Sequence, residues 1–317
     1  MRVVWNFRSR SRTLPFGIGR GLLGTLTTLS LALAAIAARA EGPVPIFADG
    51  FETGNTLAWP LVVGEAPLVA PEVFRFNTLL VRDPHVFVSV PLAGCSDFTD
   101  TALPFGLGPS FNAQIATSLT TDGDGDTFLD LSPLLQFRPL DVLASALRLD
   151  LAQGLCTAPV AGTSCTLDPA QLPRTVAYDG LAAGSCLGTV AGTTSGYTPA
   201  PTLPTLPCFV SRAAHHTVQF GDFPLPLRGV QISATFAGNP PTALASGLLR
   251  GFLRETDAAQ VLIPADVPLV GGQPITILLR GGAGNCAPGD DRDTFEGVAG
   301  WWFYWNFDAS PVPFSGT

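Results

Sequence analysis

Lysine does not occur in this chain of 317 residues, and all 17 basic side chains are arginines. Charged residues of either sign make up only 13 %. Six of the arginines (Arg2, Arg8, Arg10, Arg12, Arg20 and Arg39) fall in the first forty residues, where there is no acidic residue. The rest of the chain therefore sets 11 basic against 25 acidic side chains, a formal net charge of −14. Such a surface repels phosphate backbones, which excludes nucleic acid as an expected partner. Histidine is limited to His85, His215 and His216. The adjacent pair points to opposite faces of a strand, so neither zinc spacing nor a triad follows from sequence. G-x-S-x-G and C-x-x-C are both absent. With 29 prolines, long helices are excluded as well.

What is present begins with the basic segment. After Arg20 comes the apolar run "GLLGTLTTLSLALAAIAA", ending in Ala38-Arg39-Ala40 before Glu41. A basic region, an apolar stretch and an A-x-A site are the parts of a secretory signal peptide over 1–40. Cleavage there leaves 277 residues. No later apolar run reaches membrane-spanning length without a charge, Pro or Gly, so no membrane span is expected in the mature chain. The expected location is secreted, meaning periplasmic or extracellular, or on the cell surface.

All six cysteines lie beyond residue 40. An even count in an exported chain reads as disulfides, with 15 conceivable pairings. The expected set is Cys156–Cys165, Cys186–Cys208 and Cys95–Cys286, because the first two close short local loops.

Residues 41–70 read as an N-terminal extension. Within it Asp49-Gly50-Phe51-Glu52-Thr53-Gly54, followed by Trp59, resembles a short "DGFESG…W" segment near the start of many exported bacterial proteins. The resemblance covers about a dozen residues and implies export and bacterial origin only. From 71 to 317, short runs such as "EVFRFNTLLV", "HVFVSVPL", "GVQISATF" and "GWWFYWNF" alternate with Pro, Gly and Asp. This predicts a mainly β domain of sandwich-like antiparallel sheets with little helix. One helix is expected at 257–263, capped by Thr256 and stopped by Pro264. The stretch 156–208 is poor in strand patterns and reads as an irregular, disulfide-tied excursion of the same domain.

The chemically informative segment is "TDGDGDTFLDL" at 121–131. Asp122, Asp124, Asp126 and Asp130 occupy positions 1, 3, 5 and 9 of a calcium loop, and Phe128 offers its backbone carbonyl at position 7. Calcium takes six to eight oxygens, which alternating acids in a tight turn supply. The run is similar to the calcium loops of FG-GAP propeller repeats and thrombospondin type 3 repeats. In those families the matching positions bind Ca2+, which implies the same role for Asp122, Asp124, Asp126, Phe128 and Asp130. Two departures stand out: Thr127 at position 6, where glycine is usual, and Pro133 where an EF-hand carries its bidentate Glu. The match spans ten residues in one copy and carries no repeat fold with it.

A second acidic group, Asp290, Asp291, Asp293 and Glu296, flanks Arg292. It reads either as a further metal site or, more ordinarily, as a surface loop neutralised by Arg292. The strand "WWFYWNF" sends Trp301, Phe303, Trp305 and Phe307 to one face and Trp302, Tyr304 and Asn306 to the other. The second face is either a platform for a ligand such as a carbohydrate ring or a face covered within the fold. Taken together, these features predict an exported calcium- and disulfide-stabilised binding or structural protein with an unknown extracellular ligand. The alternative is a secreted hydrolase acting on a polysaccharide through paired Asp/Glu residues.

Overall fold

The structure is a computed structural model that describes residues 71–220, 223–265, 267 and 269–316. The expected signal peptide, the 41–70 extension and its DGFETG segment lie outside the described residues. In chain order the strands are β1 (Glu72–Asp83), β2 (Phe87–Val90), β3 (Gly94–Asp97), β4 (Pro133–Arg138), β5 (Leu147–Cys156), β6 (Cys165–Leu167) and β7 (Arg174–Asp179). They continue as β8 (Cys208–Ser211), β9 (Ala214–Phe220), β10 (Phe223–Ala237), β11 (Ala243–Arg254), β12 (Asp293–Phe295) and β13 (Val298–Pro311). Helix α1 spans Phe111–Ser118 and α2 only Glu255–Ala258. None of the described helices is long and apolar enough to cross a membrane.

Eight strands form one antiparallel ring in the order β1-β4-β5-β7-β8-β10-β11-β13, and β13 returns to β1. The architecture is thus mainly β, as expected, but it is a closed barrel rather than clearly a sandwich. The reason lies in β1. Its first residues pair with β4 (Phe74 opposite Leu135), and from Phe74 onward it also pairs with β13 (Val81 opposite Trp305). Register shifts after Phe76 and Val81 mark the irregularities that bend a strand around a barrel. A sheet whose two ends meet has no free edge.

Alternation along the strands decides what faces inward. Trp301, Phe303, Trp305, Phe307 and Ala309 of β13 all belong to the main buried core. Across from them stand Leu253, Gly251 and Leu249 of β11, then Phe76, Leu79 and Val81 of β1. One end of the barrel is filled by rings. Phe137 meets Phe74, Tyr178 and Phe209 edge-on, with centroids 5.7, 5.0 and 5.0 Å apart. Outside, β4, β5 and β7 present Arg138, Arg148, Asp150 and Thr175, joined through the Asp150 carboxylate. The outer wall at these three strands is thus charged, over an apolar interior.

Two local expectations are corrected. The helix expected at 257–263 is a single turn, because Ile263 donates to the Gln273 carbonyl and Ile275 to that of Val261. That extended pairing takes the backbone groups a longer helix would need. Helix α1 was not anticipated, although Ser110 caps it by accepting the Ala113 N–H at 3.2 Å. Within the stretch read as irregular, β6 and β7 are strands, and β7 belongs to the barrel wall. The irregular part is 180–207, a strap that covers the outer face of β10, β11 and β13. Under it Trp302 and Tyr304 are buried with Leu187, Leu248 and Phe252. The second aromatic face is therefore covered, and no open platform exists there.

Candidate metal centre

The acidic loop joins α1 to β4. Its two ends are held by backbone bonds: Asp130 N–H to the Thr121 carbonyl and Leu131 N–H to that of Ser118, both 3.0 Å. Its far side is tied to the end of β5, where Leu129 donates to the Cys156 carbonyl at 2.8 Å and Ala158 to that of Thr127 at 3.0 Å. Beneath it, the fully buried Cys156–Cys165 disulfide packs with Leu129, Leu134 and Val73.

Arg75 of β1 supports the loop from inside and had no signature in the sequence. It is 2 % exposed and has no carboxylate partner among the described residues. Its guanidinium donates to the Leu119 and Leu131 carbonyls at 2.5 and 3.0 Å, and to Ser132 Oγ at 3.3 Å. Burial lowers its pKa to about 10, so it stays charged at neutral pH. The carbonyls at the C-terminus of α1 carry the partial negative charge that stabilises it.

The loop winds around Asp122. Its Oδ1 accepts the Gly125 and Asp126 N–H groups at 2.7 and 3.2 Å, and its Oδ2 accepts the Thr127 N–H at 3.0 Å. This wrapping requires left-handed backbone at Gly125 (φ +81°) and at Thr127 (φ +78°). At position 6, where glycine is usual, threonine thus adopts the glycine-like conformation. Gly123 is required for a different reason: a Cβ there would sit 2.7 Å from Asp130 Oδ2. Its N–H donates to Asp130 Oδ1 at 2.8 Å, bringing that carboxylate back to the start of the loop.

As a result Asp122, Asp124 and Asp130 each offer an oxygen within 4.8 Å of the others. Among the described residues no other group of three or more His, Cys, Asp or Glu converges in this way. Burial, then the charges of Asp124, Asp122 and Asp126, raise the Asp130 pKa despite the Gly123 hydrogen bond. Three such pairs repel by about 1 kcal/mol each even at bulk-water dielectric. A hard divalent cation would remove that repulsion. Asp126 is not in this trio; its Oδ1 accepts the Phe128 N–H at 2.8 Å. Phe128 pairs with Thr157 in an isolated bridge.

The second acidic group does not gather. Arg292 engages Asp290 at 2.8 Å and Glu255 at 3.0 Å, while Asp291 is buried against Arg280 and accepts the Tyr197 hydroxyl. Asp293 lies in β12, and Glu296 occupies the following turn with φ +53°. Arg292 and Arg280 thus neutralise Asp290 and Asp291, as in the surface-loop reading of this group.

Sequence reasoning also missed the polar cluster under the strap. Tyr197 stacks on the buried His85 with centroids 3.8 Å apart, and His85 Nδ1 pairs with Asp97. Nearby, Asp83 accepts hydrogen bonds from Ser195. Cys95–Cys286 and Cys186–Cys208 complete the three expected disulfides, and no described cysteine is free. Comparison with protein-family models, curated proteins and solved structures returned no match.

Proposed function

We propose that this chain is an exported, non-enzymatic binding protein whose barrel is stabilised by calcium and by three disulfides. The observation that carries the reading is the convergence of Asp122, Asp124 and Asp130 inside a loop wound by left-handed residues at 125 and 127. Asp122 and Asp130 lie at the two ends of a nine-residue run, and bringing their charges together costs free energy that a bound cation returns. The similarity of the run to FG-GAP and thrombospondin type 3 loops supports calcium as that cation. The disulfides fit an oxidising compartment outside the cytoplasm. The direct test is thermal unfolding of the disulfide-bonded protein in chelator and in rising calcium. Extracellular calcium modules bind at about 10⁻⁴–10⁻³ M, so the titration runs into the millimolar range. A melting temperature that is the same throughout would reduce the loop to an acidic turn.

A polysaccharide hydrolase is the second reading, and Asp83 is the observation that favours it. This buried carboxyl, raised to about 6, borders a cavity of about 160 Å³ shared with Tyr197, and feels the charge of Asp291. It ranks below the first because both carboxylates already have structural partners: Ser195 on Asp83, and Arg280 with Tyr197 on Asp291. Loss of activity against a polysaccharide panel in Asp83→Asn, with its fold retained, would reverse that ranking.

A further inference from the structure

The aromatic rings around Phe137 leave part of the barrel interior unfilled. Next to the Phe137 cluster, inward-facing Leu135, Leu151, Ile232 and Leu79, together with the rings of Phe76 and Trp305, surround a cavity of about 530 Å³. This lies within the range of sites that enclose small organic ligands, about 300–1,000 Å³, and the mouth of a β-barrel is a usual place for one. The strands explain the opening. Leu151 stands opposite Leu135 on one side and Arg174 on the other, so the residue completing this layer on β7 is an arginine at the strand's first position. A polar residue at the rim replaces the ring or aliphatic group that would have filled the layer.

The rim has a consistent chemistry. Arg174 is exposed, lines the opening and has no acidic partner among the described residues. His216 of β9 lines it too; burial first, then the charge of Arg174, hold its pKa down at about 4, so it is a neutral imidazole at ordinary pH. Leu172, 93 % exposed, stands on the same rim. Gln153 donates Nε2 to the Gln219 carbonyl and leaves its buried Oε1 without a donor among the described residues, where a water or a ligand hydroxyl would satisfy it. In a chain this acidic, an unpaired arginine above an apolar chamber selects for a negative charge attached to an apolar body.

We infer that this chamber binds a small amphiphile, its apolar body among Leu79, Leu151, Ile232 and Trp305 and its carboxylate on Arg174. This rests on the binding-protein reading for its class of function, and supplies the ligand chemistry that reading lacked. It does not rest on the calcium loop, although the two sites share a wall at Gln153, Ala170, Gln171 and Gln219.

The test uses the full disulfide-bonded chain in millimolar calcium. It is titrated with decanoate, 1-decanol and decyltrimethylammonium, followed by calorimetry and by tryptophan fluorescence. Decanoate should bind at one saturable site, decanol at least about tenfold more weakly, and the ammonium amphiphile not at all. Arg174→Gln, at an exposed position without a structural partner, should weaken decanoate about tenfold (about 1.4 kcal/mol) and leave decanol unchanged. Leu151→Phe should weaken both by occupying the chamber, and Leu172→Asp should do the same from the exposed rim if the former disturbs folding. Absence of saturable decanoate binding would overturn the inference, as would binding that none of these substitutions alters. Equal affinities for decanoate and decanol, unmoved by Arg174→Gln, would overturn the assignment of the head group. A melting temperature that responds to calcium while decanoate fails to bind would reject the chamber and leave the loop standing; the reverse pattern would do the opposite.

Discussion

Asp83, at the end of β1, accepts two hydrogen bonds from Ser195 of the strap: the backbone N–H at 2.6 Å and the hydroxyl at 3.2 Å. The two residues are 112 positions apart, and their contact pins the irregular 180–207 segment to the barrel. Tyr197 adds a second point of attachment two residues later, stacked on His85 and bonded to Asp291.

This pin should respond to pH. Burial, the largest cause, raises Asp83 from 3.8 to about 6; Asp291 adds to the rise, while Ser195 and His85 oppose it. The folded state therefore binds more protons than the unfolded state between those values, and the contribution of Asp83 to stability rises as pH falls through about 6. Above that range the ionised buried carboxylate costs roughly 3 kcal/mol at most. Asp83→Asn should be more stable than wild type near pH 8, with the difference shrinking toward about pH 4. Thermal melts of both proteins across that range check this, and a pH-independent difference would count against it.

The two neighbouring acids of the loop should behave differently. Asp124→Ala removes a member of the converging trio and should abolish the calcium-dependent rise in melting temperature. That rise corresponds to about 2.7 kcal/mol at a hundredfold excess over Kd. Asp126→Ala removes an oxygen that accepts the Phe128 N–H, and should lower stability by about 1 kcal/mol while retaining part of the calcium response. Because the Asp130 pKa is raised by burial and by its neighbours, calcium stabilisation should fade on acidification sooner than an ordinary carboxylate would require. Melts in calcium and in chelator, repeated at falling pH, measure all three effects.

Arg75→Met should be among the most destabilising substitutions in the domain. It leaves the Leu119 and Leu131 carbonyls and Ser132 Oγ without their buried donor, at about 2–5 kcal/mol. Denaturant unfolding gives the number. Arg75→Lys should recover only part of it, since a single ammonium lacks the guanidinium fork that reaches three acceptors.

Replacing both Cys156 and Cys165 by alanine should cost about 2–3 kcal/mol and also weaken calcium binding. The second effect follows from the hydrogen bond between Leu129 N–H and the Cys156 carbonyl, which fixes the back of the loop. Calcium titration of the double variant measures it. The unmodified protein from an oxidising compartment should show no free thiol under denaturing conditions.

What the sequence determined by itself was local. Strand character followed from short β-type runs between Pro, Gly and Asp. The Asp-rich loop was legible because its members lie within nine residues and a tight turn must bring some of them together. Two of the disulfide pairs were legible because they close loops of 9 and 22 residues. Only the tertiary structure decided that β1 meets both β4 and β13, which turns an expected sandwich into a closed barrel. It also decided that Asp130 joins Asp122 and Asp124 while Asp126 turns to the backbone, and that Arg75 lies beneath them. Asp291 meets Tyr197 across 94 positions, and Arg174 reaches the rim of a chamber whose walls come from eight strands. Alternation tells a side chain which face it occupies, but not what stands opposite. That depends on strand order and closure, and these arise from summed burial and pairing across the whole chain rather than from any stretch of it.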